Sequence, residues 1–279
     1  MRPTRSPFPA RRVAALTLAL LAAGAVLAAA HDMFLKPADF FPAENSEVLV
    51  RLLNGTFSQS ENSIARARLQ DVSIVSPAGR ERLDTALWTA TGDTSTFHLR
   101  TSGAGTYVLG VSTRPNIIAI AAKDFNQYLK ADGIPDVLAA RERDRELGRD
   151  ARERYAKHVK ALAQVGSTPT EHYATALGYP AEIIPLENPY TLRAGSTLRL
   201  RMLLRGQPVA NQYVLYGGRT PQGGRIDQRS TRSDPEGIAT IRLASRGTWY
   251  VKFIHMARLT GDSAADYEST WATLSFAVR

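Results

Sequence analysis

Short runs of alternating apolar and polar residues, separated by glycine, proline, asparagine and aspartate, dominate the chain after residue 30. Such runs are typical of β-strands, in which successive side chains point to opposite faces and turn formers end the pairing. Pro37 and Pro42 favour an irregular segment before the first run. The pattern predicts strands over residues 47–53, 71–75, 96–100, 106–112, 117–121, 197–204, 209–217, 238–243, 248–254 and 271–278.

A different pattern fills residues 136–165, which contain one glycine and no proline. Asp150 and Arg154 have opposite charges four positions apart, a spacing that stabilises an exposed helix face. The segment is predicted to be an amphipathic helix with a solvated charged face, or two helices that break at Gly148. Apolar residues recur there at helical spacing: Leu147, Ala151, Tyr155, Val159 and Leu162.

Many short strands on both sides of one helical segment predict a mainly β chain with two β-sandwich modules and a helical insertion between them. The predicted boundaries follow the changes in pattern and composition. They are a signal peptide at 1–30, an N-terminal β-sandwich at 31–131, a helical segment with a proline-rich connector at 132–190, and a C-terminal β-sandwich at 191–279.

The first thirty residues have the pattern of an export signal. Arg11 and Arg12 precede an apolar run over 13–30, and the small residues Ala28 and Ala30 fit an A-x-A cleavage site. Cleavage after Ala30 would give a mature chain that begins at His31. We therefore expect a periplasmic protein without a stable membrane span after signal cleavage.

Composition excludes several kinds of chemistry. The 279 residues contain no cysteine, which excludes disulfides, thiolate metal sites and cysteine nucleophiles. The formal net charge is +9, but the arginines after residue 140 alternate with acidic residues and no recognition motif accompanies them. We therefore expect no nucleic-acid partner.

An N-terminal histidine can chelate one metal ion, because its α-amine and its imidazole lose their protons near neutral pH. Nitrogen ligands without thiolates suit a divalent transition metal such as nickel, copper, cobalt or zinc. His31 is therefore the first candidate ligand. His255, at the end of an apolar strand, is the second candidate and His172 the third, with the carboxylates of Asp32, Glu171 and Glu268 as further candidates.

The remaining sequence gives little support to catalysis. His98 is expected to be buried in a sandwich strand, and His158 to face solvent on the charged helix. The glycines over 217–224 are expected to form a flexible loop inside a β module, since no nucleotide-binding or nucleophile-elbow motif is present. We expect a protein that is not an enzyme; a copper-dependent oxidase that uses the N-terminal histidine is the catalytic alternative.

Several segments resemble the DUF4198 family: HDMFLKP after the leader, FNQYL at 125–129, ERYAKHVKAL in the charged segment and LGYPAEIIPLENPYTLRAGSTL at 177–198. This resemblance implies an exported bacterial protein, and some members are labelled as nickel-uptake or nickel-transport components. The stretch from GQPVANQYV to GTWYVKF also resembles transthyretin-like or Cna-B-like sandwiches. The opening HDMFLKPADFFPAENSEV is similar, more weakly, to periplasmic copper carriers.

The preferred hypothesis is a periplasmic binding or accessory protein that captures nickel or a similar metal through His31 and supports its uptake with an envelope transport component. The first alternative is a structural or interaction module of the cell envelope that binds no metal. The second alternative is a periplasmic copper carrier.

Overall fold

Alternating apolar positions become strands in the computed structural model, which describes residues 31–279. The predicted signal peptide and its cleavage site lie outside the described residues. Strands and helices are numbered in chain order. Residues from Asp32 to Arg279 pack as one unit.

Three sheets contain the strands of this unit. The first sheet has the order β1-β2-β6-β5 and comprises Asp32–Pro37 (β1), Glu47–Gly55 (β2), Thr89–Thr91 (β5) and Thr94–Arg100 (β6). In the second sheet β11 pairs with β10, β12 and β15, and the strands are Ala181–Pro185 (β10), Thr197–Leu204 (β11), Gln207–Pro208 (β12) and Ile238–Arg242 (β15).

The third sheet is the central one, with the order β14-β13-β16-β17-β9-β7-β3-β4 and with β8 paired to β9. Its strands are Leu69–Ser76 (β3), Gly79–Arg82 (β4), Gly105–Thr113 (β7), Asn116–Ile120 (β8), Ala151–Val165 (β9), Tyr213–Arg219 (β13), Arg225–Arg232 (β14), Gly247–Arg258 (β16) and Tyr267–Val278 (β17). Two α-helices lie between β8 and β9: Ala122–Ala131 (α1) and Pro135–Arg143 (α2).

The central sheet buries an apolar surface on each side. Val159, Ala161 and Val165 of β9 pack with strands of the first sheet, while Leu162 of the same strand belongs to the core shared with the second sheet. Because successive side chains of β9 point to opposite faces of the sheet, this one strand contributes to both apolar cores. The predicted class is confirmed as mainly β with sandwich packing and a helical insertion. The domain boundaries at 131 and 190 stay predictions.

The helix predicted over 136–165 is wrong for its second half. Helix α2 ends at Arg143, and residues from Ala151 onward form β9, which is parallel to β17 and antiparallel to β7. In the sequence, the charged residues of this segment suggest the solvated face of a helix. In the structure, several of them are buried side chains of β9. Asp150 accepts a hydrogen bond from the Ala122 backbone N–H, and Arg154 pairs with Asp262 instead of with Asp150.

Other segments also differ from the prediction. The opening residues form the regular strand β1, whose six residues all pair with β2. Helix α1, which carries the FNQYL segment, was not predicted. The expected glycine-rich loop begins later, because Gly217 and Gly218 belong to β13 and pair with β16.

Candidate functional site

The candidate site lies where β1 crosses one face of the central sheet. Asp32 begins β1 and pairs with Gly55 of β2. The hydroxyl of Thr273 donates a hydrogen bond of 2.8 Å to the Met33 carbonyl, and Ser275 donates to the Leu35 carbonyl. Polar residues of β17 therefore fix the position of β1 on the sheet.

A buried lysine holds the start of this strand. The Nζ of Lys252 lies 2.6 Å from both carboxylate oxygens of Asp32 and 3.0 Å from Oδ1 of Asp132, the residue that follows α1. The side chain of Lys252 is 3% exposed, against 18% for Asp32 and 13% for Asp132. Burial is the largest influence on this lysine and disfavours its charge, but the two carboxylates outweigh burial and raise the pKa of Lys252.

The polar cluster continues under helix α1. Tyr128 donates a hydrogen bond of 3.0 Å to Glu153, and Ser269 donates to the same carboxylate. Trp271 donates to Ser269 at 2.9 Å and stacks on Tyr128. Burial raises the pKa of Glu153. Lys157 lies 4.6 Å from the centre of the Trp271 ring, and burial lowers its pKa to about 8.

A cavity of about 280 Å³ opens beside Asp32. Its apolar floor consists of Phe34, Phe57 and Tyr250, whose ring centres lie 5.0–5.2 Å from one another. Arg219 at the end of β13 and Arg225 at the start of β14 also line the cavity. The cavity thus combines aromatic carbon with two guanidinium groups, and its acidic residue, Asp32, is paired with Lys252.

The buried titratable groups of this cluster are engaged by one another. Lys252 is charged and saturated by two carboxylates, and burial raises the pKa of Tyr128 well above its usual range. Burial lowers the pKa of Lys157 to about 8, but its side chain is buried against Trp271. A proton carrier needs contact with the group that it serves, and these buried groups contact one another.

The predicted metal ligands lie in separate surroundings. His172 Nδ1 is 2.9 Å from the Thr170 hydroxyl, and His255 Nδ1 is 3.2 Å from Gln212 Oε1. Burial, with a smaller effect of Arg205, lowers the pKa of His255. Over residues 31–279 the structure brings no three histidine or acidic side chains together in a way that could hold a metal ion. The assignment of His31 as a ligand stays a prediction.

Two of the predicted carboxylate ligands are already engaged. Both oxygens of Asp32 contact Lys252, and Glu268 pairs with Arg205 at 3.2 Å. The two other histidines differ from expectation. His98 is exposed and its Nδ1 lies 2.6 Å from Glu47, whereas His158 is buried against Ser112.

Sequence reasoning missed the main residues of the site. Lys252, Asp132 and Arg219 were not candidates. A usable signal was present for the first of them, because a lysine in the middle of the apolar strand GTWYVKFIHM implies a buried cation that needs a carboxylate partner. No comparable signal marks Asp132 or Arg219.

Three of the solved structures that match this chain show how distant the likeness is. They are a DUF4785 family protein from Legionella pneumophila (8% identity, 78% of this chain, 52% of that chain, TM-score 0.24), the Escherichia coli adhesin FdeC (16%, 88%, 63%, 0.23) and a two-domain fibronectin type III segment of chicken tenascin (12%, 85%, 95%, 0.21). This chain therefore spans about half to two thirds of the first two. TM-scores this low support no inference about function.

Sequence comparison gives a sharper result. No curated protein matches the chain. In the part of the chain that the structure covers, neither α-helix is long and apolar enough to cross a membrane. The model of the family described as a domain of unknown function, DUF4198, matches residues 28–257. This match covers most of the sequence and confirms the resemblance noted above, so the chain belongs to the DUF4198 family.

Proposed function

We propose that this protein is a non-catalytic binding or accessory protein of the periplasm that captures a divalent transition metal, nickel or a near neighbour, through His31. The α-amine and the imidazole of His31 would both bind the metal once the leader has been removed. The protein would then pass the metal to an envelope transport component. Membership of DUF4198 supports an exported protein, and the A-x-A sequence before His31 supports the position of cleavage.

The observation that carries this proposal is the anchoring of the next residue. Asp32 is fixed by the ion pair with Lys252, and β1 is paired with β2 along its whole length. A mature chain that begins at His31 would therefore start one residue before a rigid strand. A fixed starting point lowers the entropy lost when two nitrogens close on one ion.

The donor set limits what such a site can do. His31 would supply two nitrogens, while the nearest carboxylate in sequence, Asp32, is engaged by Lys252. The two nitrogens suit nickel, copper or cobalt better than calcium or magnesium. A site with two protein ligands leaves other coordination positions for water or for a partner's ligands, which suits transfer better than storage.

The test compares three mature chains by calorimetric titration with nickel and with copper. One begins at His31, one carries His31→Ala, and one has a Gly-Ser-Gly-Ser extension before His31, which moves the amine away from the imidazole. His98→Gln is the matched control because His98 is an exposed histidine on β6. Intact mass of the exported protein establishes its first residue.

We expect one metal ion per chain that begins at His31, unchanged binding in His98→Gln, and at least about tenfold weaker binding in the other two variants, because the chelate loses one arm. Equal affinity of all four chains would overturn the proposal, as would an exported chain that does not begin at His31. A protein that gives no heat with either metal would instead support an interaction module of the envelope.

A further inference from the structure

We infer that the cavity beside Asp32 binds a small organic anion, with a carboxylate head on Arg219 and Arg225 and an apolar, aromatic-sized body against Phe57 and Tyr250. This inference does not rest on metal binding by His31. It rests on charge, on the partners of each arginine and on the composition of the cavity wall.

The charge of this region is positive and only partly compensated. Arg219 donates to the hydroxyl of Ser58 at 2.7 Å and to the carbonyl of Gly223 at 3.5 Å, both of which are neutral acceptors. Within the span 31–279 no carboxylate pairs with its guanidinium. Arg225 lies 3.7 Å from Asp227, but both side chains are exposed, so water and salt weaken this pair.

A third cation near the cavity, Lys36, is affected by the same excess of positive charge. Lys36 Nζ lies 4.7 Å from the centre of the Phe57 ring and donates to the Phe57 carbonyl at 3.3 Å. Burial, then the positive charges of Arg219 and Arg51, lower the pKa of Lys36. An anion bound at Arg219 would relieve this repulsion, and charge-assisted hydrogen bonds to guanidinium are among the stronger polar contacts in proteins.

Alternation along β13 directs Arg219 toward this cavity. Gly217 pairs with Tyr250 of β16, and Arg219, two residues later, lies on the same face of the sheet as Tyr250. The register between β13 and β14 shifts after Tyr216, where one residue of β13 faces two residues of β14, so the irregularity lies in β14. Gly218 itself lines the cavity, and a Cβ atom there would lie 2.1 Å from the Thr248 carbonyl oxygen. Glycine therefore allows the close approach of β13 and β16 that closes this side of the cavity.

The aromatic floor of the cavity determines which apolar body the ligand can carry beside its carboxylate. Phe57 and Tyr250 supply aromatic carbon, and the Tyr250 hydroxyl is taken up by a 2.9 Å hydrogen bond to Gln228 Oε1. A volume of about 280 Å³ lies just below the usual range for drug-sized ligands and has room for a single ring with one carboxylate. A ligand that fills this cavity therefore needs both an apolar body and an anionic head.

The test uses benzoate and acetate, which share a carboxylate and differ in their apolar body. Both are titrated calorimetrically into the mature chain in buffer treated with a chelating resin, with sodium chloride adjusted to constant ionic strength. Arg219→Gln removes one guanidinium from the cavity. Arg229→Gln is the matched control, since Arg229 is exposed on β14 and lies outside this cavity.

We expect benzoate to bind more tightly than acetate, Arg219→Gln to weaken benzoate by about tenfold, and Arg229→Gln to bind as the unchanged protein does. Three outcomes would overturn the inference: no benzoate binding at about 10 mM, equal losses in the two arginine variants, or equal affinities for benzoate and acetate. None of these outcomes bears on His31, so this inference and the metal proposal fail separately.

Discussion

Two buried lysines lie on opposite faces of the central sheet and have different surroundings. Lys160 of β9 faces the second sheet, where its Nζ lies 3.1 Å from Glu182 of β10 and both side chains are 2–3% exposed. Lys252 of β16 faces β1 and α1, and its two carboxylate partners are more exposed. Burial lowers the pKa of Lys160 despite Glu182, whereas two carboxylates raise the pKa of Lys252.

The surroundings of the acids separate a structural ion pair from a candidate site. Glu182 also accepts hydrogen bonds from the backbone N–H groups of Leu177, Gly178 and Tyr179, so its oxygens are saturated within the protein. Asp32, by contrast, pairs with Lys252 and also lines a cavity. Burial of a charge therefore does not mark a candidate site by itself. Asp32 differs from Glu182 because it also lines a cavity.

The largest predicted effect of a single substitution comes from breaking the ion pair between Lys160 and Glu182. Glu182→Gln leaves the charge of Lys160 buried without a carboxylate and weakens three backbone hydrogen bonds. We expect a loss of about 3–5 kcal/mol in the free energy of unfolding, measured by urea denaturation. Glu187→Gln is the matched control, because Glu187 pairs with Arg199 in an exposed bridge that is worth about 0–1 kcal/mol. Equal losses in the two variants would contradict the structural role of Glu182.

His158 of β9 is buried on the same face of the sheet as Lys160, and its burial predicts that the stability of the protein depends on pH. Burial lowers the pKa of His158 to about 4, from 6.5 in an unfolded chain. The unfolded chain therefore binds more protons in this window, and stability is fully present above pH 6.5 and falls as the pH is lowered toward 4. The contribution of His158 to this loss is about 3 kcal/mol.

His158→Gln tests this prediction, because glutamine does not titrate and retains an amide for the Ser112 hydroxyl. Unfolding free energies are measured by urea between pH 4 and 7 for the unchanged and variant chains. The difference between them should shrink as the pH falls. A parallel curve for His158→Gln would show that its neutral burial has no energetic weight.

These buried charges explain how far the fold could be predicted from sequence. Strand β11 matches its predicted bounds of 197–204, since its residues alternate between a buried and an exposed face. Strand β9 was predicted as a helix because it is buried on both faces over much of its length. The charges of Lys160 and Lys157 are accommodated by partners elsewhere in the fold, which a local pattern does not contain.

Even less of the candidate site than of the fold could be predicted from the sequence. Asp32 and Asp132 lie 220 and 120 positions from Lys252 in the sequence, so no spacing relates them. Metal chemistry was predicted from His31 because an N-terminal histidine is a local feature that cleavage creates. The cavity needed the β13–β14 hairpin and β1 to come together, and this contact is a property of the whole topology.

The smallest predicted effects of a single substitution sharpen the contrast, because Lys252 has two carboxylates where Lys160 has one. Asp32→Asn and Asp132→Asn should each cost about 1–2 kcal/mol in urea denaturation, since the remaining carboxylate still pairs with the lysine. The double variant leaves Lys252 buried and uncompensated, so its loss should exceed the sum of the single losses by about 1–2 kcal/mol. Lys252→Met in the double-variant background should recover part of the stability, because it removes the unpaired charge. Additive losses, with no recovery on removal of the lysine, would mean that Lys252 is not held charged by this pair of carboxylates.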